Sequence, residues 1–439
     1  MLSLAADCTY SLTAALPALA ADITIRGNGA TIKASTSGFT ILTVPAGISA
    51  RLSGLTISNG SAGQSSGGAI DSAGTLTVTD SNFTGNSAAS GGGIYADGGT
   101  TTISGSTFSG NTAGGVPAYG GAIYADGGDL AITDSIFADN EASGDGGFGG
   151  AIDSDDAGVL SVSGSAFTSN SANYGGSIYS GWRLTVKKST FTSNNASYGA
   201  GIYSDQLTAS GLTFSGNSAY DGGGLYTAGQ SAMTNSTLAD NRATDGGGAI
   251  ANGGSLTVTS TTFLQNTSAG YGGAVIAGPG FIAKNSTFTG NQAENGGAIF
   301  NNDTLTITDS VFSQNAATAD GGAIESFANG STSVSHTTFS ANTAADGGAI
   351  FTDFSLHFTL SISNLTGNTA SGDGGAILNG QGGDAILTVT GTRIISNTAG
   401  ADGGGIDNVQ GTINLVRATV SGNMPDNCVP SGSITGCTG

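Results

Sequence analysis

The stretch Phe288 to Phe312, FTGNQAENGGAIFNNDTLTITDSVF, holds the pattern from which the rest of the chain follows. A phenylalanine stands three residues before Asn291. A Gly-Gly-Ala-Ile run (Gly296 to Ile299) and an alternating LTIT piece (Leu305 to Thr308) follow, and Phe312 reopens the pattern with Asn315. The asparagine recurs fourteen times from Asn86 to Asn423, at spacings of 23 to 30 residues. Three residues before it stands a large apolar side chain, Phe in ten copies and Leu238, Leu365, Ile394 or Val420 in the others. Ser or Thr lies two residues before that, with Leu212 and Ala418 as exceptions. Such self-similarity has to be read before any motif is weighed.

The apolar residues fall in short alternating pieces, Leu76 and Val78, then Phe83, then Ile94. Period two is the strand signature. Three strands of four or five residues with their turns fill one period, which is one coil of a parallel β-helix. Coils stacked about 4.8 Å apart pile equivalent residues into columns. Phe and Ile columns are expected inside, an Asn amide ladder at one turn, and glycines where a Cβ would clash. One coil buries too little to fold alone: three or four side chains at about 1.5–3 kcal/mol against about 1–2 kcal/mol for each ordered backbone.

The phased GGAI and FxxN marks resemble the repeats of the chlamydial polymorphic outer-membrane proteins. They are similar, too, to the wider set of secreted bacterial right-handed, pectin-lyase-like β-helix proteins. The likeness covers about residues 55–423 and implies right-handed winding. It implies no single activity, because adhesins and surface proteins share these repeats. The chlamydial proteins carry a C-terminal membrane β-barrel that this sequence does not show, so export in their manner is not expected.

The resulting expectation is an all-β, single-domain right-handed parallel β-helix of about 14–15 coils, a rod about 70 Å long. Residues 1–54 would be an N-terminal cap with irregular first coils, 55–423 the repeat array, and 424–439 a tail. The cap would keep the first open strand edge from recruiting other chains. Met1 to Asp7 is too short for a secretory signal. Cys428 and Cys437 are expected to close a small loop as a disulfide in an oxidising compartment, leaving Cys8 unpaired.

Composition excludes some functions. Of 439 residues 77 are Gly, 9% are charged, and Lys and Arg total 10 against a formal net charge of −20. Phosphate neutralisation needs a basic face, so nucleic-acid binding is not expected. No span reads as transmembrane. The acidity suits an extracellular or cell-surface monomer.

Five columns or clusters could carry chemistry. The residue after the glycine-run Ile should point outward if the Ile points in. That column holds Tyr95, Tyr124, Tyr179, Tyr203 and Tyr226 with Asp71 and Asp153, and resembles a platform for stacking an extracellular polysaccharide or a host or cell-surface glycan. The bland alternative is rings that stabilise one another. The position before the glycine run holds Asp320, Asp346, Asp373 and Asp402, an oxygen-rich ladder that could take up Ca²⁺ or simply suit a turn. No other cofactor is indicated. Asp155 and Asp156 near Arg183 and Lys187 are the best catalytic candidates, as in a polysaccharide lyase or, through paired carboxylates, a glycoside hydrolase. His336 and His357 have no spaced partners. Thr-x-Thr pairs such as Thr77/Thr79, Thr257/Thr259 and Thr306/Thr308 make a partial ice-binding face, interrupted by Lys187, Lys284 and Val416. A non-catalytic adhesion or glycan-contact scaffold is the leading reading, with the enzyme second and ice binding a minor third.

Overall fold

A computed structural model describes residues 1–155, 158–327, 330–354, 357–381, 383, 385–430 and 434–437. No helix occurs among them. The chain divides into two compact units, Met1–Ser218 and Ala219–Gly439. Both are parallel β-solenoids.

In the first unit the Ile column runs in register through Ile70, Ile94, Ile123, Ile152, Ile178 and Ile202. The Phe column runs from Phe83 to Phe214, neighbouring rings stacked nearly parallel with centroids 4.7 to 4.9 Å apart. That distance is the spacing of hydrogen-bonded strands, so each ring rests on the ring of the next coil. In the second unit Phe263, Phe288 and Phe312 stack at 4.5 Å. There the Ile column runs from Leu225 to Ile406 and ends on Cys428, whose strand Cys428–Val429 pairs with Ile406 and Asp407.

Among the described residues the first unit has nine strands at the Phe-column position and the second eight, one for each of seventeen coils. Fourteen bear the FxxN mark; at the other three, Tyr10, Ile32 and Ile57 take the place of Phe in register before Phe83. Leu2–Ser3 and Thr9–Leu12 already pair in register with the following coil.

The asparagines form the amide ladder. Asn291 Oδ1 accepts from both the backbone N (3.0 Å) and Nδ2 (3.0 Å) of Asn266, and Asn291 Nδ2 donates to Asn315 Oδ1 (2.9 Å) and to the Phe263 carbonyl (3.1 Å). The Ser/Thr position makes a second ladder: Ser286 Oγ accepts from Thr261 N (3.3 Å) and donates to the Lys284 carbonyl (2.8 Å). Both columns are buried, so every polar atom they carry needs such a partner.

Two corners set the coil. Gly296 has φ +61°, and a Cβ there would meet the carbonyl of Ile299; a Cβ on Gly297 would meet the carbonyl of Gly322 in the next coil. The other corner follows the LTIT strand and is also left-handed. Gly391 (φ 58°) and Asn285 (φ 47°) occupy it in two coils, and Ile362 (φ 47°) in a third. A β-branched residue in that conformation costs about 1–2 kcal/mol, and Ile362 is exposed, so its side chain contributes little burial in return. Ile362→Asn should therefore raise stability by about 1 kcal/mol, read as a higher urea midpoint; an unchanged or lower midpoint would refute the strain.

Candidate functional site

The Gly-Gly corner brings the residue before the glycine run against the post-Ile column, in the same coil for Tyr119 and in the next coil for Phe148 and Tyr174. In the first unit this sets two aromatic columns face to face in an inner corner. Tyr119 stacks on Tyr124 at 5.1 Å, Phe148 meets Tyr179 edge-on at 4.8 Å, and Tyr174 meets Tyr203 edge-on at 5.8 Å. Along the covering column Tyr119, Phe148, Tyr174 and Tyr198 stack at 5.0 to 5.5 Å. Within the strand column Tyr95 stacks on Tyr124 at 5.5 Å and Tyr179 on Tyr203 at 5.2 Å.

The expectation that the post-Ile column is an exposed wall is therefore corrected. Tyr95, Tyr124, Tyr179, Tyr203 and Tyr226 are half-buried, Phe300 and Phe351 are buried, and Asp153 has no exposure at all. These residues do lie outside the Ile core, but the corner roofs them with the covering column. Ring faces are used largely on one another. Burial, then the Asp126 hydrogen bond, pushes the Tyr95 hydroxyl up, so it remains a donor to Asp126 Oδ2 at 2.9 Å. Tyr226 stands in the second unit, in register beside Ala251.

Asp153 sits in register between Tyr124 and Tyr179. Neither of its carboxylate oxygens has a hydrogen-bond partner. Burial first, then the charges of Asp155 and Asp126, raises its carboxyl well above the usual range. It holds its proton more tightly than an ordinary carboxyl does, between the Tyr124 and Tyr179 positions. The sequence placed it in the column without marking it as functional.

The catalytic candidates are spread out. Asp155 lies against Gly181, where a Cβ would come within 2.6 Å of its Oδ1. The register slips between Ser180 and Arg183, so Arg183 opposes Val159 and Gln206. Its expected neighbour in the preceding coil, Asp156, lies outside the described residues. Such an extra residue bends the strand and re-aims its side chains. The Arg183 guanidinium lies 5.8 Å from the Trp182 ring centroid, a cation–π contact on a partly exposed indole. Lys187 opposes Ser163 and Ser210, four residues or about 13 Å of strand from Arg183.

A family model described as the right-handed β-helix region matches residues 22–191 and 174–339. The chain belongs to the right-handed β-helix family. A model of the Chlamydia polymorphic membrane protein repeat matches residues 336–353, the segment holding Phe339, Asn342 and Ile350 of one β-helix coil. No curated protein and no solved structure gives a match. Among the described residues of this β-helix no helix is long and apolar enough to cross a membrane.

The aspartate ladder of the β-helix is hydrogen-bonded to its own backbone. Asp346 Oδ1 accepts from Asp373 N at 2.8 Å, and Asp373 Oδ1 from Asp402 N at 2.9 Å; Asp426 Oδ1 accepts from Gly403 N at 3.1 Å. Asp320 and Asp346 pair through a parallel bridge. Among the described residues no three His, Cys, Asp or Glu side chains are grouped so as to hold a metal ion. The Cys428–Cys437 disulfide is formed, and Cys8 is free and exposed.

One more acid in the β-helix went unmarked in the sequence. Glu325 replaces an aromatic in the post-Ile column of the second unit, in register between Phe300 and Phe351. It is 5% exposed, and its Oε2 has no hydrogen-bond partner. Burial, then Asp320, Asp353 and Glu294, pushes its carboxyl up to about 8; burial and Asp346 push Asp320 up to about 6.

Proposed function

We propose that this β-helix is a surface-associated, non-catalytic scaffold that contacts glycans along the groove of its first unit. The observation that carries the reading is the doubled aromatic column, Tyr119, Phe148, Tyr174 and Tyr198 over Tyr124, Tyr179 and Tyr203. Ring edges with hydroxyl donors suit the C–H and O–H surface of a sugar, and repetition at the strand spacing suits an extended polymer more than a single residue. The likeness of residues 336–353 to the Chlamydia polymorphic membrane protein repeat supports a place at the cell surface. The test is binding of the intact chain to a carbohydrate array. Tyr174→Ala with Tyr203→Ala should weaken the retained glycan at least about tenfold, the loss of one or two aromatic contacts, while the folded signal by circular dichroism persists. Equal binding by the folded double variant would end the glycan reading.

Asp153 favours a second reading. A carboxyl whose pKa is raised by burial, then by Asp155 and Asp126, is shifted in the direction that hydrolysis of an acidic polysaccharide asks of a general acid. Reducing-sugar release from pectin, alginate or a glycosaminoglycan, abolished in Asp153→Asn, would move the protein from scaffold to hydrolase. Unsaturated products lost in Arg183→Ala would make it a lyase instead.

A further inference from the structure

The second unit holds a pocket of about 500 Å³, within the range of small-molecule sites. Its lining combines two chemistries that rarely meet. Phe300, Phe327 and Phe351 give it aromatic walls, with Tyr271 tilted against Phe300 at 4.6 Å and Phe327 stacked with Phe300 at 6.1 Å. Asp320, Glu325 and Asp353 give it carboxylates. We propose that this pocket binds a primary ammonium group on an apolar stem, with Glu325 and Asp320 accepting its N–H groups and the phenylalanine rings flanking the stem.

The argument is one of elimination by chemistry. Three carboxylates repel any anion. A neutral apolar ligand would leave Glu325 Oε2 without a donor, an expensive state for a buried oxygen. A divalent cation asks for six or more oxygens in one shell, and no ligand cluster of that kind occurs among the described residues. An ammonium group answers both surfaces at once: its N–H bonds meet the carboxylates, and its charge and adjacent methylenes meet the ring faces. A primary amine fits better than a quaternary one, because only the former brings donors. Burial and neighbouring acids raise the Glu325 and Asp320 carboxyls, a shift that a bound cation would oppose. The charged groups that act on Glu325 among the described residues are Asp320, Asp353 and Glu294, all acidic. This site is in a different unit from the proposed glycan groove and stands or falls apart from it.

The test is calorimetric titration of the intact chain at pH 7 with n-butylammonium chloride, Nα-acetyl-lysine methylamide and D-glucosamine, against 1-butanol and tetramethylammonium chloride. The ammonium probes are expected to bind and release protons as Glu325 ionises, and 1-butanol is expected not to bind. The order among the three shows whether an alkyl amine, a lysine side chain or an amino sugar is the better source. Glu325→Gln, which keeps the shape, should weaken n-butylammonium at least about tenfold, the value of one charge-assisted hydrogen bond. Phe351→Leu should weaken it less while retaining proton release. Equal binding of 1-butanol, equal or tighter binding of tetramethylammonium, or full affinity in a folded Glu325→Gln protein would each overturn the assignment.

Discussion

Asn291→Leu is expected to destabilise the second unit by on the order of 5 kcal/mol, as much as or more than deleting a whole core ring by Phe288→Ala, which should cost about 3–5 kcal/mol. Leucine matches asparagine in volume and is more apolar, so a core governed by apolar area alone would tolerate it. The ladder does not. Removing the amide strands the Asn266 backbone N–H and one of the two N–H groups of Asn266 Nδ2, the other keeping the Leu238 carbonyl, and takes a donor from the Phe263 carbonyl. Each buried group left without a partner costs about 1–3 kcal/mol. Asn291→Asp separates shape from chemistry: it keeps the oxygen that Asn266 needs, loses both donations, and adds a charge with no counter-ion. It should be at least as damaging at pH 7 and partly relieved at low pH. Urea unfolding followed by circular dichroism measures all three. A loss below about 1 kcal/mol for the leucine variant would mean the ladder is a geometric accompaniment of the fold and not a support.

The second large effect is a stability that falls as pH rises. The displaced carboxyls all move the same way: Asp71, Asp153, Asp205, Asp221, Asp320, Glu325 and Asp407 are raised, chiefly by burial. A raised native carboxyl holds its proton where the unfolded chain has lost it. Over that interval the native state binds more protons, and stability declines with increasing pH. For Glu325 the interval runs from the ordinary value of 4.5 to about 8, and for Asp320 and Asp407 from 3.8 to about 6. The melting temperature should therefore be highest in mild acid and drop steadily to pH 8, unlike proteins whose carboxylates are salt-bridged. Glu325→Gln should remove the upper part of the slope and gain on the order of 3 kcal/mol at pH 8, with no gain at pH 4. A melting temperature that climbs from pH 5 to 8 would contradict this account of the buried acids.

What could be read from the sequence divides along physical lines. The Phe, Ile and Asn columns were legible because each is a one-position constraint repeated in phase; a stack such as Phe263 on Phe288 needs nothing beyond the period. The groove was not, since exposure of a column depends on what the next corner folds over it. The clue was present as a second aromatic column before the glycine run, Tyr119, Phe148, Tyr174 and Tyr198, in phase with the tyrosines after it. Counting columns puts Arg183 beside Gln206, where it pairs, but does not foresee Val159 on its other side or the register shift between Ser180 and Arg183, which leaves no mark in composition. The aspartate column was visible as charge, but whether those carboxylates face a cation or the N–H of a neighbouring coil is decided by backbone geometry. Glu325 escaped notice for the opposite reason. It breaks a column instead of forming one, and a single departure from a repeat stands out only once its neighbours Phe300 and Phe351 are seen closing on it.

Every rung of the Asn ladder presents the same acceptor backward and the same donors forward. Asn266, which meets Asn291, would find an equal partner in Asn315 if the intervening turn of chain were excised. Unequal crossing-over between copies can thus lengthen or shorten this molecule by whole steps without remaking any contact, whereas a cut of half a step would set phenylalanines against the isoleucine wall. Length is the trait such a gene can change most freely, and with it the reach of whatever surface the coils display.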